Sequence, residues 1–216
     1  MKRAFMVAAL LATVLLPLGA EAHFGTGKKG YRSRILAVKP HEPGLKLKIF
    51  YGDDQIWLDN KTGKTVVILG YGGEPYLRFG RSGIYINGNS PAVYLNQDRY
   101  AKTAVPKSVT AKAKPKWQKL AGGEFWAWHD HRIHYMSPTP PKQIQDAPRK
   151  PHHVFDWKVP ARANGKPFSI TGSLDYKPPP KNSFPVGLVI VLATLIAAGM
   201  VGLFALRRVL LRSLEE

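Results

Sequence analysis

Between its two apolar ends the chain shows hydrophobic positions that recur with a period of two. Leu45, Leu47 and Ile49 alternate with Lys46 and Lys48, the pattern of a strand that buries one face. Residues 56–58 and 65–69 are short β-rich runs on either side of a polar separator, 59–64, in which Gly63 is free to take a positive φ. Residues 76–79 and 84–86 flank Gly80-Arg81-Ser82-Gly83, a second hairpin signal. Two aromatic-rich strands are expected over 125–136 and 153–159. The clearest half-buried strand is 168–176, where Phe168, Ile170, Leu174 and Tyr176 alternate with Ser169, Thr171, Ser173 and Asp175 behind an Asn164-Gly165 turn. Seven or eight short strands at this spacing predict an all-β fold, an antiparallel immunoglobulin-like β-sandwich. No stretch between the ends has a helical period. Residues 101–119, rich in Lys, Ala, Pro and Thr, read as one long surface loop, and 138–151 as a second irregular segment.

The ends carry a different signal. Residues 1–22 have Lys2 and Arg3, an apolar run over 4–18 and Ala20-Glu21-Ala22, the layout of a secretory signal peptide. Residues 186–206 are free of charge, and at about 1.5 Å per residue a helix there reaches roughly 30 Å, the thickness of a bilayer core. Arg207, Arg208 and Arg212 follow, as expected on the cytoplasmic side. The predicted organisation is therefore a signal peptide (1–22), an extracytoplasmic domain (23–176), a proline-rich stalk (177–185), a transmembrane helix (186–206) and a cytoplasmic tail (207–216). This places the protein in the cell membrane as a single-pass chain with its domain outside.

Charge and cysteine content narrow the chemistry. There is no cysteine, which excludes disulfides, zinc-thiolate sites, thiol catalysis and iron–sulfur clusters. The net charge is +18; five of the 32 bases and three of the 14 acids fall outside the exported part, which leaves it 27 against 11, or +16. Such a surface attracts anionic lipid or an anionic envelope polymer. An exported, tethered domain makes these the expected partners in preference to nucleic acid. Tyr71, Tyr76, Tyr85, Tyr94 and Tyr100 recur among Arg78, Arg81 and Arg99 and suggest a polar-aromatic binding face. Asn60-Lys61-Thr62 fits a glycosylation acceptor pattern.

One patch concentrates metal-binding side chains. Residues 128–136, Trp-His-Asp-His-Arg-Ile-His-Tyr-Met, hold three of the seven histidines, a carboxylate and the Met136 thioether. Imidazole suits copper, zinc, nickel and iron. On an extended strand His129 and His131 share one face, and His134 joins them if the chain bends after Ile133. His23, His152 and His153 are the other sources of a third ligand. Asp130 and Arg132 fall on the opposite face, where they can form a buried pair. His129 and Asp130 could make an acid–base dyad, but no nucleophile accompanies them, so a binding module is expected and not an enzyme. Cleavage after Ala22 makes His23 the new terminus, whose amine and imidazole together chelate copper(II) well.

Signal peptide, His23, a cysteine-free sandwich and the Asp130-His131 pair together resemble the periplasmic copper-resistance CopC-like family. That resemblance implies a copper brace of His23, Asp130 and His131, although the family separates its aspartate and histidine by one residue. The runs Gly70-Tyr71-Gly72-Gly73-Glu74-Pro75-Tyr76-Leu77-Arg78 and Ser90-Pro91-Ala92-Val93-Tyr94-Leu95-Asn96, with the histidine patch, look like an uncharacterised family of actinobacterial membrane-anchored envelope proteins. That second resemblance implies location and architecture alone. The expected metal ligands are His129, His131 and His134, with His23 and Asp130 as further members, and the expected cofactor is copper or zinc. The alternative expectation is an envelope scaffold that uses the basic, tyrosine-rich surface.

Overall fold

The computed structural model describes residues 28–179 and 186–212. The first segment belongs to one compact unit and the last helix to another. Ten antiparallel strands form two sheets in the first unit: β1 (Tyr31–Lys39), β2 (Leu45–Phe50), β3 (Gln55–Asn60), β4 (Val66–Leu69), β5 (Pro75–Gly80), β6 (Gly83–Asn87), β7 (Trp117–Ala121), β8 (Phe125–His129), β9 (His152–Ala163) and β10 (Lys166–Tyr176). The large sheet has the order β1-β10-β9-β4-β5-β6-β7, and the small one β2-β3-β8. The antiparallel all-β expectation holds. The division into seven and three strands differs from the four and three of an immunoglobulin constant domain.

One core lies where the sheets meet. Ile56, Leu58 and Trp128 of the small sheet join Ile68, Leu77, Phe79, Ile84, Val159, Phe168, Ile170 and Leu174 of the large one, and the Phe79 and Trp128 rings lie 6.1 Å apart. Period-two alternation aims these side chains inward. The long β9–β10 hairpin turns at Asn164 and Gly165, both at positive φ (45° and 81°), as a two-residue turn matched to strand twist requires. At Gly172 a Cβ would sit 2.1 Å from the Trp157 ring and 2.2 Å from the Arg34 carbonyl, so glycine lets β1, β9 and β10 close up.

Several expectations are corrected. β1 went unread because its inward residues include the small polar Ser33 and its register shifts between Ile35 and Ala37. Residues 117–119 are not loop: Trp117–Ala121 pairs with β6 as an edge strand. The strand expected over 125–136 stops at His129, and a 3-10 turn (His131–Ile133) follows. Two short helices, α1 (Ala92–Leu95) and α2 (Lys142–Asp146), occur where no helical period was expected, the second inside the segment 138–151 read as irregular. Asn60 is no accessible glycan acceptor. Its amide is buried and donates to the carbonyls of Lys64 (2.9 Å) and Phe79 (3.3 Å).

The second unit holds α3 (Val186–Arg212), whose segment Gly187–Arg208 is long and apolar enough to cross a membrane and has exposed side chains. The signal peptide, His23 and most of the stalk lie outside the described residues.

Candidate metal centre

The site is built where β8 ends. Gln55 pairs with His129 and Ile56 with Trp128, so the strand delivers His129 beside the β2–β3 turn that carries Asp53 and Asp54. Asp130 then stops the strand. Its buried carboxylate accepts from Arg132 N (3.1 Å) and so caps the 3-10 turn, a familiar role for an aspartate at a helix start. The turn brings His131 and His134 back towards His129. Ring centroids lie 5.0 Å (129–131), 4.8 Å (129–134) and 5.1 Å (131–134) apart. One ligand nitrogen from each ring falls within 4.8 Å of the other two.

The opposite nitrogen of every ring is held by an acceptor. His129 Nδ1 is 2.9 Å from the Asp54 carboxylate. His131 Nε2 is 2.8 Å from the Asp98 carbonyl and His134 Nδ1 is 3.3 Å from the Tyr135 carbonyl. Carbonyls and carboxylates accept, so these nitrogens carry the protons. The ring nitrogens opposite these contacts are His129 Nε2, His131 Nδ1 and His134 Nε2. Two of them, His129 Nε2 and His134 Nε2, lie 3.1 Å apart. A cation placed between them would take a lone pair from each. Metal-bound histidines commonly donate their second N–H to a carboxylate or carbonyl, which fixes tautomer and orientation.

A buried charge network supports the set. Arg99 reaches Asp53 (2.5 Å) and Asp54 (3.4 Å), and Lys28 N donates to Asp53 (3.1 Å). Burial raises the Asp53 pKa against the bonds from Arg99. His134 is 1 % exposed. Burial, then the Arg99 charge and the neighbouring histidines, push its pKa down to about 3. Burial likewise lowers His131, against its bond to the Asp98 carbonyl. Both rings are therefore neutral at neutral pH, the state that binds metal. Asp98 organises its own loop by accepting from the backbone N–H groups of Lys102, Tyr100 and Thr103, and these hold its pKa down to about 2.

The histidine trio thus comes together, but by a turn and not on one strand face. Asp130 stands apart from it. Its oxygens take bonds from Trp128 Nε1 (2.9 Å), Arg132 Nε (2.8 Å) and Arg132 Nη2 (2.7 Å), which makes it the buried partner of Arg132. The brace of His23, Asp130 and His131 is not assembled among the described residues, because His23 lies outside them and Asp130 is committed to Arg132. His152 donates to the Ala147 carbonyl and His153 pairs with Asp175, away from the trio. The tyrosine–arginine face also divides. Tyr76 and Arg99 are buried, Tyr71 OH accepts from His131 N (3.0 Å) at the centre itself, and Arg78 stacks between Tyr85 (4.4 Å) and Trp117 (4.6 Å). Sequence reasoning missed Asp54, Arg99 and the Asp98 carbonyl; Asp53-Asp54 is an ordinary turn signal until the register sets it beside His129. No family model matches the chain, and neither the curated proteins nor the solved structures contain a match.

Proposed function

We propose that this chain is a membrane-anchored extracytoplasmic module that captures a transition metal, copper or zinc, at His129, His131 and His134. One observation carries the reading: a ring nitrogen from each of three histidines falls within 4.8 Å of the other two, and each ring has an acceptor at one nitrogen. Three imidazoles without a thiolate suit copper or zinc, and zinc–imidazole bonds of about 2.0–2.1 Å require nitrogens a little over 3 Å apart. The two-sheet domain acts as the rigid frame, and the arrangement provides capture without a catalytic nucleophile. Residues 1–22 direct export, α3 is the anchor, and Arg207, Arg208 and Arg212 mark the cytoplasmic end. The envelope-family resemblance agrees with this placement. The test is competition of the purified chain against a chromophoric chelator with copper and with zinc. Wild type binds one equivalent, and His129→Ala combined with His131→Ala abolishes tight binding while circular dichroism stays unchanged. Equal affinity in that variant refutes the reading.

A second reading has its own observation. Arg78, clamped between Tyr85 and Trp117, lines a cleft of about 420 Å³ with Arg81, Thr65 and Asn164. Strands β4 to β7 contain no acidic residue. This cleft suits an anionic envelope polymer, and Arg78→Ala with Arg81→Ala abolishes such binding without touching the metal centre. Retention of a labelled teichoic or uronic polymer by that variant refutes it.

A further inference from the structure

The small sheet has an apolar side that the core does not use. Its inward face consists of Leu45, Leu47, Ile49, Ile56, Leu58, Trp126 and Trp128. Alternation sends Lys46, Lys48 and Phe50 of β2, Trp57 of β3 and Phe125 of β8 to the other face. There a continuous aromatic row runs from Tyr51 through Phe50 and Trp57 to Phe125, with centroid separations of 6.2, 6.2 and 6.1 Å. Phe125 is 60 % exposed and Tyr51 45 %. Four contiguous aromatic rings on one open face are unusual, because a sheet face left in water is normally polar.

Lys46 and Lys48 stand on this face with one carboxylate, Asp59, which lies opposite Lys46 and Phe125 in register. Lys48 Nζ lies 5.4 Å over the Trp57 ring. Lys46 and Lys48 are exposed and have no carboxylate partner among the described residues. The nearby carboxylates are spent: Asp59 is buried, and Glu124 pairs with Lys61. Aromatic rings set among lysines form the composition that settles at the headgroup level of a bilayer, where rings enter the interface and ammonium groups meet lipid phosphates. Neighbouring rings are tilted by 66°, 39° and 35°, so together they offer no flat platform for stacking a sugar chain.

We propose that this face, Tyr51, Phe50, Trp57 and Phe125 with Lys46 and Lys48, docks onto the anionic lipid surface of the membrane that α3 crosses. The inference rests on the reading of α3 as a membrane anchor. Nine residues separate β10 from α3, and a chain of that length spans at most about 30 Å. Such a tether holds the domain close to lipid, where weak contacts suffice. Docking would orient the domain through the strand that ends at His129.

The test uses the full-length chain reconstituted into vesicles of phosphatidylcholine and phosphatidylglycerol. Wild type contains no cysteine, so Phe125→Cys and, as a control on β9, Lys158→Cys each accept one nitroxide. The nitroxide at 125 is expected to collide more with oxygen than with an aqueous nickel chelate, and the one at 158 the reverse. In the otherwise native chain, brominated lipid is expected to quench part of the tryptophan emission, and Trp57→Phe removes that part. Lys46→Glu with Lys48→Glu reduces the quenching at least several-fold. A nitroxide at 125 as open to aqueous nickel as that at 158, with no quenching of Trp57 by lipid, overturns the docking while leaving the anchor intact. Extraction of the chain from vesicles by alkaline carbonate overturns the anchor and the docking together. Shielding of Trp57 only on addition of a polysaccharide or protein also overturns the lipid assignment.

Discussion

Replacing Asp130 by alanine removes the carboxylate on which the end of β8 is organised. That carboxylate is fully buried and accepts four hydrogen bonds, one from the Trp128 indole and three from Arg132. Arg132 is itself only 15 % exposed, donates to the Leu69 carbonyl (2.9 Å) and lies 5.0 Å over the Tyr71 ring. Asp130→Ala therefore strands a guanidinium and an indole N–H in the interior and removes the cap of the 3-10 turn. Breaking a buried pair in this way costs about 3–5 kcal/mol. At roughly 2–4 °C per kcal/mol for a chain of this size, the melting temperature falls by about 10 °C. Asp130→Leu with Arg132→Met removes both charges and recovers much of the loss, because no unpaired ion remains. The assay is urea unfolding of the detergent-solubilised chain followed by tryptophan emission, with wild type, Asp130→Leu, Arg132→Met and the double variant closed into a double-mutant cycle and Asp130→Ala measured beside it. A loss below about 1 kcal/mol in Asp130→Ala, or a double variant as damaged as the sum of the singles, refutes the reasoning.

Asp54→Asn keeps the shape of the side chain but weakens the acceptor on His129 Nδ1; metal affinity should fall about 10–100-fold, measured by chelator competition, with little change in fold. In the metal-free chain His134 titrates at about 3 when folded and near 6.5 when unfolded, so the unfolded state takes up the proton first. Stability is then present above pH 6.5 and declines as pH falls towards 3, by up to about 1.4 kcal/mol per pH unit for this one proton; a urea midpoint that is flat between pH 7 and 4.5 contradicts it. Asp130 has the same sign at lower pH: the Arg132 charge and the bonds from Arg132 and Trp128 outweigh burial and hold its pKa down, so its contribution is lost only as pH falls below the ordinary carboxylate range. Gly172→Ala drives a methyl into the Trp157 ring and the Arg34 carbonyl and should cost at least about 1–3 kcal/mol in the same urea assay.

Period-two alternation revealed the strands that bury one clean apolar face, such as Leu45–Phe50 and the Phe168–Tyr176 half of β10. It missed β1, whose inward Ser33 breaks the pattern, and β7, which follows a lysine-rich stretch as an edge strand with one buried side at most. The histidine trio was legible as density, and a bend was expected after Ile133, whereas the strand already ends at His129. The cause of the bend was not legible. Asp130 and Arg132 are two apart, a spacing that on a strand shares a face and in a 3-10 turn closes a cap. Burial of the carboxylate selects the second. Asp54 and Arg99 stayed hidden because their meaning depends on long-range pairing, of β3 with β8 and of the Asp98 loop with both, which local pattern does not encode. The aromatic row was hidden for the same reason. Phe50, Trp57 and Phe125 come from three strands and become neighbours only in the observed register.

The central claim is that His129, His131 and His134 bind one metal ion through three imidazole nitrogens. X-ray absorption at the metal edge, on the full-length chain loaded with one equivalent of copper or zinc, tests it most directly. The account predicts three nitrogen ligands at about 2.0–2.1 Å for zinc, with the outer-shell scattering of imidazole rings, and loss of that signature when His129 and His134 are both alanine. A shell of oxygen ligands without imidazole scattering, or a spectrum unchanged in that variant, contradicts it.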